Sequence, residues 1–100
     1  MLFAVIHTIR DWLSRTEIPC QILTDSKDSL HVFFETDHAL AELIAGMPSC
    51  APYRFVSFTV LDTRLDLKAE PVFSFHDDEN CTISDILHGL EQGAACITIL

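Results

Sequence analysis

The stretch YRFVSFTVL, residues 53–61, constrains the fold more than any other. Val56, Phe58 and Val60 alternate along one side of an extended chain, and Phe55 and Leu61 contribute to the other. Its β-branched and aromatic residues suit a strand with a buried face, which demands neighbouring strands and a covering layer. The segments CQILT (20–24) and LHVFFE (30–35), joined by the polar turn DSKDS, read as a hairpin. In the second of them Leu30, Val32 and Phe34 share one face. RLDLKA (64–69) alternates cleanly between apolar and charged residues, and VFSF (72–75) follows Pro71. AACITIL (94–100) is expected to close the chain as a buried strand, because Ile97 and Ile99 alternate with Cys96 and Thr98.

Three helices are predicted. Leu2, Ile6, Ile9 and Leu13 recur at helical spacing over residues 2–15, although Val5, Ile6, Thr8 and Ile9 also permit an edge strand at 2–9. Asp37 can cap a short helix over 37–46, with Gly46 at its left-handed end before Pro48. Thr82 and Asp85 form a T-x-x-D capping box for a helix at 83–92, which Gly93 is expected to stop. The result is a single α+β domain over residues 1–100. Its sheet should hold five or six mostly antiparallel or mixed strands, with about three helices mainly on one face.

Composition narrows the function by exclusion. No run reaches the roughly 18–20 apolar residues of a membrane span. The apolar start lacks both a preceding basic region and a cleavage site, so it reads as mature, cytoplasmic sequence. Cys20, Cys50, Cys81 and Cys96 include no C-x-x-C pair, and free thiols are expected. No phosphate loop, dinucleotide fingerprint, G-x-S-x-G or H-E-x-x-H occurs. From Asp78 the pattern resembles the start of a calcium loop, but Ile83 stands where glycine is required and Gly89 where glutamate is. His76 with Asp78 and His88 offers a weak transition-metal arrangement, and five histidines with four cysteines permit chance Cys–His pairs. The sequence points to no metal, no cofactor and no catalytic residue; a small Cys/His or acid-based enzyme is the minor alternative.

The charge distribution is more informative. Net charge is −9, and residues 69–100 carry six acids with no lysine or arginine. Those acids are Glu70, Asp77, Asp78, Glu79, Asp85 and Glu91. Phosphate contacts need clustered bases, so direct nucleic-acid binding is not expected. Acids before a helix favour its dipole without any partner, but that does not explain why no base follows Lys68. The expectation is an acidic inhibitor covering the charged site of a basic, nucleic-acid-handling protein. An immunity protein against a toxin, or a phage anti-defence inhibitor of the anti-CRISPR kind, would work this way. The six acids are the candidate partner-binding residues, with 77–79 first as a loop expected to be exposed. The alternative is a dimeric secretion chaperone or adaptor that binds through apolar surface.

Overall fold

A computed structural model describes residues 1–47, 53–65 and 70–100. Helix α1 (Leu2–Arg15) leads into strands β1 (Cys20–Asp25), β2 (Leu30–Glu35), β3 (Ala39–Ala45), β4 (Val56–Asp62) and β5 (Phe73–His76), and helix α2 (Ile83–Ile99) ends the described chain. The five strands form one antiparallel sheet in the order β1-β2-β3-β4-β5, a simple meander. Over the described residues the chain is an α+β unit with two helices, and both pack on the same face of the sheet.

Register explains which residues make the core. Val32 pairs with Leu43, Leu43 with Phe58, and Phe58 with Phe75, so one pleat row crosses four strands. Because side chains alternate across a strand, Leu30, Val32, Phe34, Ala39, Ala41, Leu43, Ala45, Val56, Phe58 and Val60 all face the helices and are buried. Helix α1 answers with the stripe Val5, Ile6, Ile9 and Trp12, spaced as one helical face. The Trp12 indole meets Phe34 and Phe58 edge-on, with centroids 6.1 and 6.4 Å away.

Two expected elements are replaced. Residues 37–46 do not form a helix: Ala39–Ala45 is the central strand β3, and Asp37 lies in the β2–β3 turn. Its alanines carry high helix propensity, but burial alternates strictly along it, and a helix this short has little stability of its own. The alanines suit the site because small side chains leave room on the covered face. Gly46 has no left-handed backbone; its N–H bonds to the Phe55 carbonyl at 2.9 Å.

The final strand is also absent. Helix α2 continues through Gly93 to Ile99, burying Ile86, Gly89, Leu90, Gly93 and Ile97. Ile97 is buried as the last turn of that stripe, whereas Ile99 points away and is 83 % exposed. Of the expected strand 64–69, Arg64 and Leu65 lie in a turn after β4, and residues 66–69 fall outside the described ones.

In that turn Arg64 clamps Asp62 through Nε at 3.0 Å and a terminal nitrogen at 2.9 Å. This side-chain hydrogen bond, helped by the Arg64 backbone N–H, holds the Asp62 carboxyl below its usual range. The native state therefore favours the ionised form, and any stabilisation is present above the ordinary aspartate pKa and lost as pH falls through the depressed value. A carboxyl NMR titration should find Asp62 below the ordinary range, and Arg64→Ala should move it upward.

Candidate partner-binding surface at the start of the second helix

The acidic segment runs from the end of β5 into the first turn of α2. Its residues do several different jobs. Asp77 is only 2 % exposed. Its Oδ1 accepts hydrogen bonds from the backbone N–H groups of Arg54, Phe55 and Val56 at 3.0, 2.8 and 2.8 Å. Its own backbone pairs with the same segment, donating to the Val56 carbonyl and accepting from the Arg54 N–H. This side chain is a staple holding the entry to β4, not part of an exposed loop.

Asp78 and Glu79 are exposed. Asp78 Oδ1 accepts from the Asn80 N–H at 2.8 Å, forming the side-chain turn by which aspartate initiates a corner. The capping box is complete: Thr82 Oγ1 accepts from the Asp85 N–H at 3.2 Å, and Asp85 Oδ2 accepts from the Thr82 N–H at 2.9 Å. Two turns further on, Glu91 Oε1 accepts from the Trp12 indole N–H at 3.2 Å, tying α2 to α1. Glu70 precedes β5, so the length of that four-residue strand, about 13 Å, lies between it and the loop that follows. The fold thus gathers Asp78, Glu79 and Asp85 at one helix end, with Glu91 on the same helix. It turns Asp77 inward and leaves Glu70 apart.

The sequence asymmetry of charge survives in three dimensions. Ion pairs among the described residues join Arg10 to Asp25 at 2.7 Å, Arg15 to Asp11 at 3.0 Å and Arg64 to Asp62 at 2.9 Å, and a hydrogen bond of 2.8 Å joins His31 Nε2 to Glu42. Every acid in them precedes residue 63. Lys27 and Arg54 lie over the rings of Phe3 and Phe55. Within the described residues, no acid from Glu70 onward has a cation within ion-pair distance.

The other sheet face carries features that spacing alone did not reveal. His31 and Phe33 of β2, Leu40, Glu42 and Ile44 of β3, and Ser57, Thr59 and Leu61 of β4 look away from the helices and are partly exposed. The Tyr53 ring stacks on His76 at 5.8 Å. Register, unknown before the fold, is what pairs His31 with Ile44 and brings Glu42 within reach.

Among the described residues no three His, Cys, Asp or Glu side chains are placed to hold a metal ion, and no helix is long and apolar enough to cross a membrane. Cys20, Cys81 and Cys96 are free thiols, while Cys50 lies outside the described residues. At Cys81 a backbone hydrogen bond at Asp78 lowers the thiol pKa, but partial burial and the Asp78 and Asp85 charges outweigh it and raise the net value. Partial burial, with a smaller contribution from Asp62, raises Cys96. Since the thiolate is the nucleophile, exposed Cys20 should be alkylated first at neutral pH, ahead of Cys81 and Cys96. Mass spectrometry of a Cys50→Ser chain after a brief iodoacetamide pulse reads that order; equal labelling at the three positions would contradict it.

Comparison with family models, curated proteins and solved structures finds no match.

Proposed function

We propose that this chain is a small acidic binding protein that inhibits a basic, nucleic-acid-handling protein by covering its charged site. The observation that carries this reading is the uncompensated charge of α2 and its preceding loop. Arg10, Arg15 and Arg64 pair with nearby acids, while Asp78, Glu79, Asp85 and Glu91 have no cationic counterpart among the described residues. Capping and turn formation account for where Asp78 and Asp85 stand, but not for the absence of bases around them. Such a surface repels phosphate and attracts lysine and arginine, so carboxylates would stand where a basic protein expects nucleic-acid phosphates. An immunity protein against a nuclease toxin, or a phage inhibitor of a nucleic-acid-binding defence complex, has this chemistry.

The test captures partners from a lysate of the native host, using the native chain and a Glu79→Lys/Gln92→Lys variant, both positions being exposed. The recovered partner should be basic, and its nucleic-acid binding should fall stoichiometrically on adding this chain. Association should slow about tenfold or more in the variant, and raising salt to roughly 0.5 M should mimic the change. Glu70→Lys, beyond β5, should matter less. Binding indifferent to both salt and charge would reject the proposal. It would favour an adaptor that works through apolar surface, the reading supported by Ile99 at 83 % and Ile22 at 50 % exposure.

A further inference from the structure

Strand β1 is the least protected element of the fold. All six residues, Cys20–Asp25, are exposed. Helix α2 rests on β3, β4 and β5, and α1 sends Trp12 onto Phe34 and Phe58, so the apolar cover ends at β2. Helix α1 reaches β1 at that strand's last residue, where Arg10 pairs with Asp25. Ile22 and Leu23 are 50 % and 47 % exposed, and a bulge between Ile22 and Thr24 leaves Leu23 outside the pairing with β2.

The direction of the free backbone groups follows from register. The Thr36 N–H bonds to the Ala39 carbonyl at the β2–β3 turn. In an antiparallel pair, hydrogen-bonded and non-bonded positions alternate. Phe34 and Val32 therefore bond toward β3, and Phe33 bonds toward β1, where it meets Gln21. The N–H and C=O groups of Cys20 and Ile22 consequently turn outward, away from the sheet. An edge of this kind invites another strand.

The opposite edge is guarded. β5 has four residues, follows Glu70 and Pro71, and leads into Asp78 and Glu79, and short length, proline and charge all discourage edge pairing. Over Cys20–Thr24, β1 has no charge at all, and Asp25 beyond it is neutralised by Arg10 at 2.7 Å.

We propose that β1 is the seam of a homodimer, in which two copies pair their β1 edges antiparallel about a two-fold axis at Gln21. The outward groups of Cys20 in one copy then meet those of Ile22 in the other, twice, and the two sheets become one. The occupant is a second copy because antiparallel edge pairing is self-complementary, and the bonded stretch Cys20–Ile22 sets no like charges opposite each other. Further out, the register places Asp25 opposite Glu17 of the other copy, and there Arg10 neutralises Asp25. A chain of net charge −9 repels its own copy, so it can meet itself best where charge is absent. A basic partner has nothing to attract it to the same strand. This seam is independent of the acidic face proposed above, and salt separates the two: screening should weaken the acidic contact and leave the dimer intact or tighter.

Sedimentation equilibrium of the full chain over roughly 1–100 µM should give the dimer mass, within the affinity range open to modest interfaces. Ile22→Lys should raise the dissociation constant about tenfold or more, since an edge lysine blocks strand addition. Amide exchange in the native chain provides a readout that needs no variant. Cys20 and Ile22 amides should be protected at high concentration and open on dilution, while the Gln21 amide, already bonded to β2, stays unchanged. A monomer throughout the range would overturn the proposal. So would a dimer insensitive to Ile22→Lys, or one whose Cys20 and Ile22 amides exchange equally fast at both concentrations.

Discussion

Asp77→Ala should lower the stability of the protein by about 3–5 kcal/mol, while its neighbour Asp78→Ala should leave the unfolding midpoint nearly unchanged. The two aspartates are adjacent in sequence but opposite in environment. The Asp77 carboxylate accepts from three successive backbone N–H groups, and the last of these, at Val56, opens the buried strand β4. Alanine would leave the Phe55 and Val56 N–H groups facing protein without an acceptor, while the Arg54 N–H keeps the backbone carbonyl of residue 77. Each buried unsatisfied group costs about 1–3 kcal/mol. Asn should recover part of the loss, because its carbonyl oxygen can occupy the Oδ1 position without the charge. Urea unfolding followed by Trp12 fluorescence provides the comparison. A loss at Asp77 no greater than that at Asp78 would contradict this assignment.

Gly93→Ala should be nearly as damaging, by about 2–3 kcal/mol net, although the same change inside an exposed helix usually gains about 1 kcal/mol. A Cβ at Gly93 would be driven into the ring edge of Phe58. That ring cannot withdraw: it is fully buried and lies among Trp12, Phe34 and Phe73, with centroids 6.4, 5.7 and 6.0 Å away. At Gly89 an added Cβ would meet Phe75 Cδ2 at 2.6 Å. Phe75 is only partly buried on the short outer strand, so it can yield, and Gly89→Ala should cost less. Phe58→Leu should partly rescue Gly93→Ala, and a double-mutant cycle would measure that coupling. A Gly93→Ala protein that melts higher than the native one would show that α2 does not lie this close to β4.

These glycines also show why the C-terminal element was hard to read. Gly93 ahead of a β-branched run has the local appearance of a helix stop followed by a strand. Its purpose here is close approach of helix to sheet, which depends on Phe58, 35 residues earlier in the chain. The spacing Ile86, Leu90, Gly93, Ile97 contained the helical signal, but it appears only when glycine is counted as a buried residue. Strand β3 failed for the complementary reason. Ala39, Ala41, Leu43 and Ala45 alternate with Leu40, Glu42 and Ile44, yet Asp37 and Gly46 stand where a helix cap and a helix end would, and those signals mask the period of two. Helix α1, strands β1 and β2, and the start of α2 were legible because period, turn chemistry and capping agreed there. The acidic bias was legible from counting alone. The division of labour within it was not, since the backbone donors that claim Asp77 come from 21 to 23 residues upstream.

The placement of α2 at the end of a sequential meander has a consequence during synthesis. Each strand can pair with the one just made, so the sheet can assemble as the chain emerges from the ribosome. Its covered face cannot be completed until the last helix arrives, because Ile86, Leu90 and Ile97 close over Phe58 and Phe75 only then. The bond from Trp12 to Glu91 spans 79 residues and likewise waits for that moment. A nascent chain halted before residue 83 would hold a sheet with one aromatic face open and the unguarded β1 edge already formed. Stalled or truncated products of this protein should therefore need a holding chaperone at a stage when the finished molecule, with that face closed, needs none.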